Sequence, residues 1–173
     1  MSLTDCVRRT PKTWRSSTFV TTSGTKQILV TAKAYPNLSS KYDETVCTAG
    51  IDLDTGRFIR LWPVRFRYLP QHQRFNKWDI IEVPVSLKRD DPRGDTYVPE
   101  MDRLTIVTER LGRLPSGKVN WKPRNDLVLP MVSTMELLDV QAKEWKGSLG
   151  VVRAINPKLR CEPTDDEWDA RGE

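Results

Sequence analysis

The amino-acid sequence predicts a mainly β fold, and three observations lead to this prediction. Apolar and polar residues alternate through the segment 45–88, which is the spacing of half-buried strands. The tripeptide DTG at 54–56 interrupts this alternation with the composition of a short hairpin loop, in which Gly takes the left-handed conformation. Apolar residues at helical spacing occur around residues 134–146. Many short strands, tight turns and one helix are typical of a small β-barrel, and an OB-type or SH3-like barrel suits the length.

Four consecutive strands are predicted in the first half of the chain. The segments KQILVTAKAY, TVCTAGIDL, RFIRLW and DIIEVPVSLK each show a period of two. In the third segment Ile59 and Leu61 are expected to point into the barrel. In the fourth, the apolar residues share one face, and Pro84 marks an edge or a bulge because it has no N–H to donate to a neighbouring strand.

The second half of the chain predicts one α-helix, near residues 134–146. Ser133 and Glu136 have the spacing of a capping box, and Gly147 stands where a C-terminal cap belongs. The apolar residues at helical spacing are expected to face the core: Met135, Leu138, Ala142 and Trp145. A closing pair of strands is expected after the helix, in SLGVVRAI and PKLRCEP.

The distribution of charge divides the chain into four parts, although the net charge is only +5. Residues 1–26 are rich in basic residues, Ser and Thr and lack apolar periodicity, which predicts a flexible basic arm. Residues 164–173 predict a solvated acidic tail. Between these ends we expect a first OB-type half over 27–90 and a second over 91–163, which includes the helix, so that the chain holds one barrel or two.

Residues that catalysis or cofactor binding would need are sparse in the sequence. His72 is the single histidine, and it lies in a basic loop without an acid to orient it, which argues against a nucleophile triad. The three cysteines are too far apart for a zinc site, and no glycine-rich phosphate loop is present. The sequence therefore predicts a protein that is not an enzyme and holds no metal or cofactor. One enzymatic alternative stays open, a metal-dependent nuclease subunit, whose carboxylates would have to gather from strand ends: Asp52, Asp54, Asp79 and Glu82.

The sequence also predicts where the protein resides. No stretch approaches the roughly 20 apolar residues that a membrane-spanning helix needs. The N-terminus lacks the apolar core of a secretion signal, and three widely spaced cysteines suit a reducing compartment. We therefore expect a cytoplasmic protein without a membrane partner.

The stretch from Arg57 to Trp78 carries the strongest functional signal. It contains six basic residues, six aromatic residues and no acid. In a structural interpretation, the aromatic residues belong partly to the core and the arginines coat the outside of a barrel, paired with acids of other segments. In a functional interpretation, the cations contact phosphates and the aromatic faces stack on bases, as in a groove that binds nucleic acid. The absence of any acid favours the functional interpretation.

Alternation along the strand selects the residues of this candidate groove. If Ile59 and Leu61 point inward, Phe58, Arg60 and Trp62 share the opposite, exposed face of the sheet. The loop around YPNLSSKY would border the groove, although tyrosines in such loops also serve as packing residues. The predicted nucleic-acid-binding residues are Arg57, Phe58, Arg60, Trp62, Arg65, Phe66, Arg67, Tyr68, Arg74, Lys77, Lys33, Tyr35 and Lys41.

Several phrases of the sequence resemble a known family. AKAYP, SSKYDETVCTAGID, GRFIRLWPVRFR, KWDIIEVPV and SLGVVRAI together resemble the dual OB-containing domain of prokaryotic proteins. The resemblance covers most of the chain, from about Gln27 to Trp168. It implies two OB-type barrels and a role in nucleic-acid binding, in systems tied to mobile elements or defence.

The sequence thus leads to one hypothesis and two rivals. The hypothesis is a non-catalytic, cytoplasmic protein that binds single-stranded or distorted DNA or RNA. The first rival is an adaptor that binds a protein partner within a larger complex, because Trp, Tyr and Arg are also the residues enriched in protein interfaces. The second rival is the nuclease subunit described above.

Overall fold

A computed structural model of the chain describes residues 22–34, 37–39, 43–144 and 147–161. These residues form a mainly β structure with two short α-helices, α1 (Lys122–Val128) and α2 (Met135–Lys143). The strands are β1 (Ser23–Lys33), β2 (Asn37–Ser39), β3 (Asp43–Asp52), β4 (Arg57–Val64), β5 (Ile80–Leu87), β6 (Thr96–Pro99), β7 (Thr105–Thr108), β8 (Val132–Ser133) and β9 (Val151–Val152).

Five of the strands close into a barrel, in the order β1–β3–β4–β6–β5 and back to β1. The barrel closes because β1 is long enough to pair with β5 through its first part and with β3 through its second. The pairing of β4 with β6 is parallel, and the other barrel pairings are antiparallel. Outside this closed order, β2 pairs with β3 and β7 pairs with β5. This OB-like barrel confirms the predicted fold class.

The β3–β4 hairpin has the predicted loop. Gly56 has a φ of 66°, the left-handed conformation that Gly adopts without strain. Its N–H donates to the Asp52 carbonyl over 2.8 Å, and the Asp52 carboxylate accepts the Asp54 N–H over 3.0 Å. Asp52, rather than Asp54, is therefore the acid that stabilises the turn.

The barrel interior is filled by the period-two residues of the strands. Ile59 and Leu61 are buried, as predicted, and so are Ile81, Val83 and Val85, which alternation places on one face of β5. Opposite β4, strand β3 places Thr48 beside Leu61 and Gly50 beside Ile59. The buried core comprises Ile28, Val30, Ile59, Leu61, Val64, Leu69, Phe75, Ile81, Val83, Val85, Tyr97 and Leu104.

Pro84 lies within a barrel strand. It is paired with Thr25 of β1 on one side, and its carbonyl accepts the Glu100 N–H over 2.9 Å on the other. On that second side β5 pairs with β7 before Pro84 and with β6 after it. A residue without an N–H is tolerated there because the ladder changes partner at that point.

A second apolar cluster covers part of the outside of the barrel. Leu29, Ile51 and Ile80 are buried on the outer surface, and segments from the second half of the chain pack over them. The partly buried members of this cluster are Leu53, Phe58, Trp78, Leu111, Leu127, Val128 and Met131. The sheet is therefore apolar on both faces in this region, beneath α1 and the turn that follows it.

The boundary predicted at residue 90 falls inside the barrel. Strands β6 and β7, from the predicted second half, belong to the same sheet as β1–β5. The rest of that half, as far as the structure describes it, contains α1, α2 and the small parallel sheet of β8 and β9. The described residues of 91–163 thus form no closed barrel of their own.

Helix α2 occurs where the sequence predicted it, with three differences, the first of which is that it ends at Lys143 with Glu144 as its C-cap rather than Gly147. Its N-cap is Thr134, one residue after the predicted Ser133, and the Thr134 hydroxyl accepts the Leu137 N–H over 3.2 Å. The expectation that Met135, Leu138 and Ala142 face the core is wrong, because α2 has no buried residue, and Trp145 lies outside the described residues. Met135 is 64% exposed, Leu137 50% and Val140 49%.

Some predictions concern residues at the margins of the described structure. The acidic tail at 164–173 and most of the basic arm lie outside the described residues. Residues 23–26, predicted to belong to the arm, are part of β1 and pair with β5. Within the described parts of the chain, no helix is both long enough and apolar enough to cross a membrane.

Candidate functional site

The outer face of β4 carries Phe58, Arg60 and Trp62, as the alternation predicted. All three are half-buried, whereas Ile59 and Leu61 between them are buried in the barrel. Phe58 packs in the outer apolar cluster. Its burial there, beneath the second half of the chain, means that Phe58 is a packing residue and does not offer an open face to a base.

Arg60 is held by a segment that follows α2. Its Nη2 donates to the Ser148 hydroxyl over 2.7 Å, and Nη1 lies 3.8 Å from the Cys47 sulfur. Asp95, at the end of the loop before β6, binds Ser148 through its carboxylate and accepts the Arg60 backbone N–H through its carbonyl over 2.8 Å. The guanidinium thus points outward, but Ser148 connects it to a buried carboxylate.

The loop of residues 65–77 between β4 and β5, hereafter the capping loop, contains half of the eight predicted cations. Two 3-10 turns, Phe66–Tyr68 and Gln71–Gln73, shape it. Arg74 fixes their relative position, because its Nε donates to the Leu69 carbonyl over 2.9 Å and its Nη2 to the Arg67 carbonyl over 3.0 Å. Arg74 is therefore both an exposed cation and a structural residue of the loop.

The core side of the capping loop is fixed by aromatic contacts. Lys33 places its Nζ 3.8 Å from the centre of the Phe66 ring and donates to the Phe75 carbonyl over 3.0 Å. The Phe66 and Phe75 rings meet edge to face, with centres 5.2 Å apart. Burial lowers the pKa of Lys33, and the charge of Asp79 opposes this shift. Phe66 and Lys33 are thus occupied with each other rather than with solvent.

The outer side of the capping loop is cationic and aromatic. Arg65, Arg67, Arg74 and Lys77 are exposed, and Tyr68 is 64% exposed. Arg67 forms an ion pair with Glu44 at 2.8 Å, which leaves its charge partly compensated.

An open pocket of about 400 Å³ lies beside Tyr68. Its lining is mixed, with cationic, aromatic, apolar and acidic groups from the capping loop and from the 3-10 turn Met101–Arg103. Gln73 joins the two walls, because its side-chain amide donates to the carbonyls of Asp102 and Leu104 over 3.2 and 3.0 Å. The lining residues are Arg65, Tyr68, Leu69, Pro70, His72, Gln73, Met101 and Asp102.

The structure therefore divides the predicted site residues. Arg65, Arg67, Tyr68 and Arg74 come together on the capping loop, with Lys77 at its end. Phe58, Arg60 and Trp62 lie on the covered face of β4, and the exposed Arg57 begins that strand at its opposite end. Tyr35 and Lys41 lie outside the described residues. Asp102 and Met101 were missed, since nothing in the sequence places their turn against a loop 30 residues earlier.

The carboxylates of the nuclease alternative have other partners. Asp52 forms a buried ion pair with Lys26 at 2.6 Å, and Glu82 accepts from the Gln27 amide over 2.9 Å. The two oxygens of Asp79 accept the backbone N–H groups of Asn76 and Arg110. In the described residues no three His, Cys, Asp or Glu side chains gather as metal ligands would.

Comparison with known families matches residues 24–130 to the model of a domain of unknown function, DUF8758. The chain belongs to this DUF8758 family. The matched residues include the barrel, the capping loop and α1, whereas Ser148, which binds Arg60, lies beyond them. No curated protein and no solved structure matches the chain. The resemblance to the dual OB-containing domain stays a prediction.

Proposed function

We propose that this DUF8758 protein binds single-stranded nucleic acid through its capping loop and does not catalyse a reaction on it. The observation that carries this proposal is that one loop presents four exposed cations together with the exposed ring of Tyr68. Cations that neutralise phosphates supply most of the sequence-independent affinity for nucleic acid. An exposed aromatic ring supplies a surface on which any base can stack.

The pocket beside Tyr68 favours a single strand over a duplex. Its volume of about 400 Å³ falls in the range of small-ligand sites. Bases of a single strand can leave the stack and enter such a concave site, whereas those of a duplex are paired and stacked. Asp102 gives the pocket one carboxylate, which repels a phosphate but accepts a hydrogen bond from the amino group of a base.

The number of cations sets the expected dependence on salt. Each phosphate contact with a single strand contributes a slope of about −0.7 to log K against log salt concentration. Three or four contacts by the capping loop give a slope between about −2 and −3, so that affinity falls roughly 20- to 50-fold between about 50 and 200 mM salt.

Fluorescence anisotropy with a labelled single-stranded DNA, the same RNA sequence and the corresponding duplex tests this proposal. Replacing Arg65 and Lys77 by Gln should lower the steepness of the salt dependence by about 1.4, because two phosphate contacts are lost. Tyr68→Ala should weaken binding about 5- to 150-fold without changing the slope. Lys143→Gln removes an exposed cation on α2, which is paired with Asp139, and is the control. Equal binding by all variants, or none by the wild type, would contradict the proposal.

The biological setting of such binding is also a proposal. The resemblance to the dual OB-containing domain supports a cytoplasmic role in a prokaryotic mobile-element or defence system. A test is whether deletion of the gene changes plasmid or phage maintenance in the source organism.

A role as a protein-interaction adaptor is the second candidate, and α2 is the observation that favours it. The apolar side chains of Leu137 and Val140, three residues apart and so on one face of this helix, are each about half exposed. The partner that suits them is another apolar helix face, and a second copy of the chain offers one. Light scattering across a range of protein concentrations should then show a dimer that Leu137→Glu disrupts. A chain that is monomeric throughout would contradict this role.

A further inference from the structure

Arg124 of α1 is a buried cation without an acidic partner among the described residues. Only 5% of the surface of Arg124 is exposed. Nε donates to the Leu111 carbonyl over 2.6 Å, and the guanidinium carbon lies 4.8 Å from the Trp78 ring centre and 4.9 Å from that of Trp121. Burial lowers the pKa of Arg124. Charged side chains are rarely this buried without a counter-charge, so an anion would be stabilised beside it.

The two indole rings around Arg124 form a rigid aromatic corner. Trp78 and Trp121 meet edge to face with ring centres 6.0 Å apart. Trp78 is half-buried in the outer apolar cluster, whereas Trp121 is 54% exposed. Lys77, the last residue of the capping loop, places its Nζ 5.2 Å from the Trp78 ring centre. The corner therefore adjoins the surface proposed above.

A short hairpin beside this corner adds further cations. The Asn120 N–H donates to the Gly112 carbonyl over 2.8 Å, and the Leu114 N–H to the Lys118 carbonyl over 2.9 Å, so that residues 112–120 fold back on themselves. Arg113 and Lys118 on this hairpin are exposed, and neither forms an ion pair with another residue of the described structure. The sequence contains no acid from Arg110 to Asn125.

We propose that Trp121 and Arg124 form a second nucleotide-binding site, which continues the track of the capping loop along the same strand of nucleic acid. The exposed indole of Trp121 stacks on a base. The Arg124 guanidinium, with the Lys77 ammonium, holds an adjoining phosphate, and Lys118 meets the next. This inference rests on the proposed function and specifies its ligand as a chain of several nucleotides rather than a single base.

A purely structural role for the corner accounts for only part of it. The bond from Arg124 to Leu111 and its contact with Trp78 fasten α1 to the barrel. Fastening requires neither the outward exposure of Trp121 nor the acid-free hairpin beside it. A base-stacking role accounts for both features, because stacking needs an open ring and phosphates need nearby cations.

Oligonucleotides of two lengths separate the two sites. Labelled single strands of about 4 and about 16 nucleotides bracket the site sizes of OB barrels. Trp121→Leu should weaken binding of the long strand about 5- to 150-fold and leave the short strand, which the capping loop binds alone, unchanged. Trp121→Phe should restore most of the affinity because it keeps a ring. Lys118→Gln should reduce the salt slope for the long strand by about 0.7.

Thermal unfolding of each variant distinguishes binding from folding. Wild-type affinity of Trp121→Leu for the long strand, alongside weakened binding by Tyr68→Ala, would overturn the second site and leave the proposed function standing. Failure of Trp121→Phe to restore binding, with a lowered melting temperature in both variants, would assign Trp121 a structural role and overturn the inference. Absence of binding by the wild type would refute both proposals.

Discussion

Replacing Ser148 by Ala tests how the chain segment after α2 is attached to the barrel. The Ser148 hydroxyl accepts from Arg60 Nη2 over 2.7 Å and lies 2.9 and 3.0 Å from the two oxygens of the Asp95 carboxylate. Ala removes both interactions. The Ser148 backbone N–H, which donates to Asp95 over 2.6 Å, is unaffected.

The expected loss of stability follows from the charges at both ends of this contact. A hydrogen bond to a charged group contributes about 1.5–3 kcal/mol. Arg60 is half-buried and regains some water in the variant, while Asp95 keeps its bond to the backbone. We therefore expect the free energy of unfolding to fall by about 2–3 kcal/mol, near the value for a single such bond. For a chain of this length, that loss corresponds to a melting temperature lower by roughly 4–12 °C.

Urea unfolding measures this change directly. The midpoint should move to a lower urea concentration while the slope stays constant, because the surface exposed on unfolding is the same. Ser116→Ala, in the exposed turn of the 112–120 hairpin, removes a hydroxyl that faces solvent and is the matched control. A loss below about 0.5 kcal/mol, the usual range of surface substitutions, would refute the assigned role of Ser148.

Three further predictions concern other parts of the barrel. Lys26→Met should lower the free energy of unfolding by about 3–5 kcal/mol in urea unfolding, because it leaves the buried Asp52 carboxylate without its cation; a change like that of Lys143→Met would contradict this. Arg93 holds the pKa of Asp91 well below its usual range, so this carboxylate stabilises the fold above about pH 4 and the contribution is lost as the pH falls towards the folded-state pKa. In Asp91→Asn the free energy of unfolding should therefore fall less steeply as the pH is lowered below about 4. The same pH dependence as in the wild type would exclude this contribution. Gly50→Ala should cost about 1–3 kcal/mol or more, because its Cβ would lie 2.4 Å from Ile28 Cγ2 and 2.7 Å from the Leu29 carbonyl oxygen; a wild-type melting temperature would count against such close packing.

The barrel could be predicted from the sequence because period-two alternation reports directly which residues face a core. It placed Ile59 and Leu61 inside, and the turn at Gly56 followed from local conformational preference. Alternation could not reveal that the opposite face is also covered. Ile51 and Phe58 pack outside the barrel against residues about 70 positions later in the chain, and no local pattern encodes that contact.

Helix α2 also shows that a local pattern does not reveal which surfaces are covered. Apolar residues at helical spacing predict an amphipathic helix, but the spacing does not identify what covers the apolar face. Leu138 packs closely on Gly150, where an added Cβ would lie 2.4 Å from its Cδ2. Met135 and Leu137 remain exposed. The prediction placed Met135 and Leu138 together on a face towards the core and did not include Leu137.

The sequence predicted which stretch of the chain contains the candidate site, but not which side chains of that stretch are exposed. The acid-free stretch from Arg57 to Trp78 does contain the exposed cations and Tyr68. Within it, Phe66 contacts Lys33 whereas Tyr68 faces solvent. The sequence does not distinguish these two rings, because each has an arginine as its neighbour in the chain. Only the fold shows that Lys33 of β1 lies over the Phe66 ring.

The position of the C-terminal segment determines which surface of the barrel a ligand can use. OB barrels bind oligonucleotides on the face of their second and third strands, which correspond here to β3 and β4. That face is closed at Phe58 by apolar packing and at Arg60 by the contact with Ser148. A nucleic acid on β4 would have to displace the segment around Ser148. To contact Arg60, it would also have to break the hydrogen bond between Arg60 and Ser148. The cations of the capping loop are exposed, so a nucleic acid can reach them without displacing this segment, and binding there leaves the covered face intact.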